Sequence, residues 1–168
     1  MHPEIAKRFE GIEQRRKALV ARVKALPPDK QNQKPDPKSF SPAEVIMHMA
    51  LAEASNVGFM KKHPPRTLKG KKPRMTFIFR KTVSSMQNPI KLLATVPYMV
   101  PKGTVILAEA DKAWAEVRKE TAGFLEQVNG PNEPFIKFLF IFGLGSASDY
   151  LTLMEAHLTY HESRFSNA

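Results

Sequence analysis

Residues 40–62 read FSPAEVIMHMALAEASNVGFMKK, and this stretch carries the plainest helix signal in the chain. Ser41 offers a hydroxyl at the N-cap, Pro42 takes the first helical position where no amide hydrogen is needed, and Glu44 stands at the third. That spacing predicts a capping box. Phe40, just before the cap, is placed to staple against Val45. Val45, Met49, Ala52, Asn56 and Phe59 then recur at helical period and carry the helix to about Lys62. His48 shares the stripe of Val45 and Ala52, so its ring is expected to face the interior.

Three further long helices follow from the same reasoning. The first runs from about Pro3 to Leu26, with Ile5, Phe9, Ile12, Leu19, Val23 and Leu26 on one stripe, and Pro27-Pro28 stops it. Another spans about Ala108 to Val128, with Trp114, Val117, Phe124 and Val128 inward and Asn129-Gly130-Pro131 beyond it. The last opens at Ser146, with Asp149 completing a second capping box, and carries Tyr150, Met154, Leu158, His161 and Phe165.

Between Pro64 and Gly103 the periodicity breaks at repeated prolines, leaving room for one short helix near Met75–Met86. Phe77, Ile78, Phe79, Leu92 and Leu93 require burial somewhere, so this segment reads as a crossover rather than a disordered tail. The run from Pro134 to Gly143 has the composition of a strand. With no partner strand in view it is expected to be an apolar loop or short helix pressed onto the bundle. The fold class that results is all-α, a four-helix bundle with a long crossover between its second and third long helices, formed by residues 1–168 as a single domain.

Composition narrows the chemistry. The chain has 168 residues, 42% of them hydrophobic and 25% charged, a balance that suits one globular core. It has no cysteine, which excludes disulfides, thiolate metal sites and an internal thiol nucleophile. The N-terminal residues alternate charged and apolar side chains, unlike a signal peptide, and no apolar run approaches a membrane span. A cytoplasmic location and no membrane partner are expected. The formal net charge is +10, and nine lysines and arginines without one acidic residue fall between Lys61 and Lys81. A solvated basic connection is the simpler reading of that block. The other is a surface for phosphate, an acidic substrate or a membrane.

The five histidines carry the functional signal. His157 and His161 are four apart, so their rings stack on one helical face, the face of Tyr150, Met154 and Phe165. A lone inward histidine is usually satisfied by a carbonyl or hydroxyl. An inward pair at this spacing, with His48 as a third, points instead to a metal site built from His48, His157 and His161. His157-Leu-Thr-Tyr-His161 lacks the glutamate of zinc-peptidase helices, and no Glu-x-x-His motif of di-iron bundles occurs. His2 and His63 read as solvated. Trp114 and the methionines at 47, 49, 60 and 154 read as core. No general base is assigned: Glu44 is occupied as a cap, Glu53 is turned away from His48, and Tyr160 and Glu162 do not share the face of His161.

The stretch from Pro35 through Ser41-Pro-Ala-Glu44-Val-Ile-Met-His48, followed by Glu53, resembles the second-helix entry of the DinB/YfiT-like superfamily, whose pattern W-S-x-x-E-v-l-x-H-l supplies a first metal histidine. Phe142-Gly-Leu-Gly-Ser-Ala-Ser-Asp149, leading to His157-x-x-x-His161, resembles the fourth helix that supplies the other two. Phe40 stands where that family usually has tryptophan, and the basic crossover is longer than its pattern. The resemblance implies an up-down-down-up bundle, bound nickel, zinc or a related divalent ion, and frequent homodimers. It also implies thiol-dependent transfer or isomerisation using a low-molecular-weight thiol. Imidazole ligands alone suit zinc, nickel, copper and iron alike.

Three neutral imidazoles with an open position would make a catalytic site, and in a chain without cysteine the thiol would come from outside. The expected function is a metal-dependent transferase or hydrolase acting on a small, anionic substrate. Its pocket mouth is expected between the apolar 135–142 segment and the basic crossover. The competing class is a non-enzymatic binder with a structural metal, its basic surface gripping an anionic partner. Nucleic acid is the less favoured partner, because no recognition motif accompanies the basic block.

Overall fold

A computed structural model describes residues 1–87, 95–138 and 142–165. The described chain is mostly helical. Four long helices dominate: α1 (Pro3–Lys24), α3 (Pro42–Lys62), α6 (Leu107–Leu125) and α7 (Ala147–Phe165). Shorter elements lie between them. These are the single turns α2 (Pro28–Gln31) and α4 (Pro65–Leu68), the eleven-residue α5 (Phe77–Gln87), a 3-10 turn at Pro97–Met99, and strands β1 (Arg74–Met75), β2 (Pro134–Lys137) and β3 (Gly143–Ser146). Among the described residues no helix is long and apolar enough to cross a membrane.

The α3 capping box is present in full. The Ser41 hydroxyl accepts from the Glu44 amide and the Glu44 carboxylate accepts from the Ser41 amide, at 3.2 and 2.8 Å. α3 is central to the core, burying Ile46, Met49, Val57 and Met60 together with His48 and Glu53. α7 opens on the second box, with the Ser146 hydroxyl accepting from the Asp149 amide at 3.1 Å and the Asp149 carboxylate accepting from the Ser146 amide at 2.9 Å. His2, expected to be solvated, also caps α1 at the surface, its Nδ1 accepting from the Glu4 amide.

α1 buries Ile5, Ile12, Leu19 and Val23 as the periodicity requires, but Arg16 fills the gap in the stripe. Its guanidinium lies over the Trp114 ring, 5.6 Å from the centroid, and pairs with Glu13 and Asp111. On α6 the inward stripe is Ala110, Trp114, Arg118, Thr121 and Leu125, while Val117 and Phe124, expected inward, are half-buried. Arg118 and Glu53 form a buried ion pair at 2.7 Å, and the Trp114 indole N–H donates to the same carboxylate at 2.9 Å. Arg8 and Arg15 of α1 reach α7, the first bonding Ser148, Thr152 and Glu155, the second Thr159 and Glu162.

The segment after Pro134 corrects the sequence reading. It is a strand: β2 pairs antiparallel with β3, and β3 with β1, in the order β1-β3-β2. Its missing partner is Gly143-Leu-Gly-Ser146, a strand without apolar alternation. Gly143 has φ of 94°, and a Cβ there would sit 2.4 Å from the Arg74 carbonyl oxygen. Only glycine allows β1 to approach so closely. Leu139, Phe140 and Ile141, expected in the same apolar segment, lie outside the described residues, as do Leu92 and Leu93 of the crossover.

Candidate metal centre

His48 lies in the second turn of α3, and His157 and His161 in the C-terminal half of α7. The structure brings the three expected residues together. His157 Nε2 stands 3.2 Å from His48 Nε2 and 3.1 Å from His161 Nε2. Each residue offers one nitrogen within 4.8 Å of the others, a grouping that could hold a metal ion. His48 and His161 are buried and His157 is half-buried.

The chemistry of the donor set fits such an ion. His48 Nδ1 lies 2.8 Å from the Met99 carbonyl oxygen. A carbonyl can only accept, so Nδ1 carries the hydrogen and the Nε2 lone pair of the neutral ring faces the other histidines. This is the outer hydrogen bond that commonly orients a metal-ligating histidine. Bonds near ~2.1 Å place neighbouring donor nitrogens about 3.0 Å apart at right angles and about 3.4 Å apart at the tetrahedral angle. The two observed separations fall inside that interval.

Electrostatics hold the His48 and His157 rings in the state a metal requires. Burial pushes His157 down to about 3, and the neighbouring His48 adds to the shift. Burial also lowers His48, against the opposing effect of its bond to Met99. Rings that stay neutral at pH 7 need not lose a proton before they ligate.

The surroundings are aromatic. The Phe40 ring lies 5.0 Å from that of His48, so the residue before the cap is in contact with the site. Tyr160 packs edge-on to His161 at 5.1 Å. Glu44 caps, and Glu53 is committed to Arg118 and Trp114, so neither carboxylate joins the triad. Of the expected mouth, residues 139–141 lie outside the described residues. Phe135 packs on Tyr150 in the first turn of α7, about 10 Å along the helix from His157. The crossover contributes the Pro97–Met99 turn, which with Phe40 covers His48. Sequence reasoning missed Met99 because its contribution is a backbone carbonyl, to which side-chain identity gives no clue.

Residues 12–162 match the model of the DinB superfamily, and the chain belongs to that superfamily. The match takes in all three histidines. No curated protein matches the chain. No solved structure matches it either.

Proposed function

We propose that His48, His157 and His161 hold one divalent transition metal, nickel or zinc, and that the protein is a metal-dependent transferase or hydrolase acting on a small anionic substrate. The single observation that carries this reading is the convergence of three imidazole nitrogens, one with its tautomer fixed by Met99. An ion held there by the three imidazoles would supply Lewis acidity toward a thiol or water. The chain's own residues bind and orient. Met99 fixes the His48 ring, and Phe40 and Tyr160 wall the site with apolar surface. Because the chain has no cysteine, a thiol co-substrate comes from solution as a low-molecular-weight compound.

The helix directions that support the family's up-down-down-up arrangement follow from side-chain pairs. Arg8 with Glu155 and Arg15 with Glu162 advance together by seven residues, so α1 and α7 run parallel. Arg16 with Asp111 and Phe9 with Arg118 advance oppositely, so α1 and α6 run antiparallel. Glu53 with Arg118 and Lys61 with Glu120 set α3 parallel to α6.

Metal analysis of untagged protein, purified without chelator, tests the proposal. One equivalent of nickel or zinc is expected, lost in His157→Ala. Less than a tenth of an equivalent in the unsubstituted protein would overturn it.

A further inference from the structure

The nine lysines and arginines from Lys61 to Lys81 are all exposed, and among the described residues only Lys61 has an ion-pair partner, Glu120. Within this stretch Phe77 and Ile78, expected from the sequence to be buried, are instead 77% and 51% exposed. Two adjacent large apolar side chains standing in water, inside the most basic part of the chain, need a physical reason.

Their exposure is not that of a loose end. The Thr76 amide donates to the Phe142 carbonyl at 3.0 Å, and the Thr76 hydroxyl accepts from the Phe79 amide at 3.3 Å. β1 is paired to β3, and Phe79 and Val83 bury the inner face of α5 against the core. Phe77 and Ile78 are therefore held outward on a firm base. The same character continues onto the sheet. Arg74, Leu144 and Lys137 are in register across β1, β3 and β2, so their side chains share one face. Lys71 and Lys137 flank a cleft of about 260 Å³ whose apolar lining includes Leu68 and Leu144.

We propose that this surface docks on an anionic phospholipid membrane, with Phe77 and Ile78 inserting between headgroups and the flanking lysines and arginines lying in the negative surface potential. Insertion of an apolar tip together with attraction of a basic cluster is how proteins without a spanning helix hold to such surfaces. A second copy of the chain is a poor occupant, since it would set nine cations against nine. A nucleic acid would use the cations and could stack on Phe77, but it has no use for the aliphatic Ile78. The pair protrudes rather than forming a groove, which suits a soft surface better than a folded protein. This inference stands apart from the metal reading and does not depend on it.

Co-sedimentation of the full chain with phosphatidylcholine vesicles, with and without phosphatidylserine, tests it. Binding is expected only with phosphatidylserine present, weakening as salt rises. Phe77→Ser with Ile78→Ser lowers partitioning by about tenfold or more, and Lys71→Gln and Lys72→Gln lower it by about fivefold each. Both side chains of the apolar pair are exposed, so helical content and thermal midpoint stay unchanged and report that the variant is folded. No binding to the anionic vesicles, binding indifferent to the Phe77 and Ile78 substitutions, or tighter binding to a single-stranded oligonucleotide than to the vesicles would each overturn the proposal.

Discussion

Acidifying the metal-free protein from pH 7 to pH 5 should destabilise it through the histidine centre by a calculable amount. In the folded chain burial pushes the His157 ring down to about 3 from its ordinary 6.5. Its folded pKa is depressed, so the unfolded chain binds the extra proton and stability is lost as pH falls from 6.5 toward 3, and is fully present above that window. At pH 5 the unfolded ring is almost wholly protonated and the folded ring almost wholly neutral. The difference accumulated between pH 7 and pH 5 is about 2 kcal/mol for this ring. For a chain of this size that lowers the thermal midpoint by about 4–8 °C. His48 is shifted the same way and adds to the loss. Carboxylates elsewhere also respond to acid, so the informative quantity is a difference of differences. Thermal unfolding is followed at both pH values, in chelator, for the unsubstituted protein and for His157→Gln, which removes the titrating ring and keeps a polar side chain. The pH-induced drop should be smaller in the variant by about 2 kcal/mol. Equal drops in the two proteins would show that His157 is not held neutral by burial, and the account of the ligand set given above would fail.

Other perturbations reach the site and the scaffold separately. Added nickel or zinc at a hundredfold excess over its dissociation constant should stabilise the protein by about 2.7 kcal/mol, measured as a rise in thermal midpoint that His48→Ala or His161→Ala abolishes. Arg118→Ala strips the buried Glu53 of its partner and should cost about 3–5 kcal/mol in denaturant titration, while Glu53→Leu combined with Arg118→Met should recover most of it. Gly143→Ala forces a side chain into positive φ against the Arg74 carbonyl and should cost at least about 1–3 kcal/mol. Hydrogen exchange should then speed at Thr76, whose amide bonds the Phe142 carbonyl beside that glycine.

The parts of this molecule legible in its sequence are those in which neighbours along the chain determine the outcome. A capping box needs only Ser41 and Glu44, or Ser146 and Asp149, and both formed. The His157–His161 pair is likewise set by helical spacing, and the stripe that His48 shares with Val45 and Ala52 marks it as the third inward ring. What escaped depends on distant partners. β2 could not be recognised as a strand because β3 is glycine-rich and β1 is two residues long, more than fifty residues earlier in the chain. Gly145 belongs to the same device: a Cβ there would lie 3.2 to 3.3 Å from Met75, Ile136 and Phe138, so its bareness lets those side chains close over the sheet. Arg16 and Arg118 were invisible as core residues because charge ordinarily marks a solvated face. Burial became tolerable only with Asp111 and Glu53 opposite them and Trp114 between.

These misplaced charges explain why the histidines meet at all. An apolar interface between helices tolerates sliding and rotation, since one aliphatic side chain replaces another at small cost. A triad of nitrogens does not, because each residue of rotation about α7 would turn His157 by about 100° away from α3. The directional contacts sit where they remove that freedom. Arg8 and Arg15, seven residues apart on α1, grip pairs of acceptors on α7 that are also seven apart, Thr152 with Glu155 and Thr159 with Glu162. This fixes both the height and the azimuth of the helix that carries two of the three histidines. Glu53, one and a half turns past His48, locks α3 to α6 through Arg118 and Trp114. Each helix that carries a histidine of the triad is thus registered by polar groups that do not touch the triad, and the Met99 carbonyl has only the last degree of freedom to settle, the rotation of a single ring.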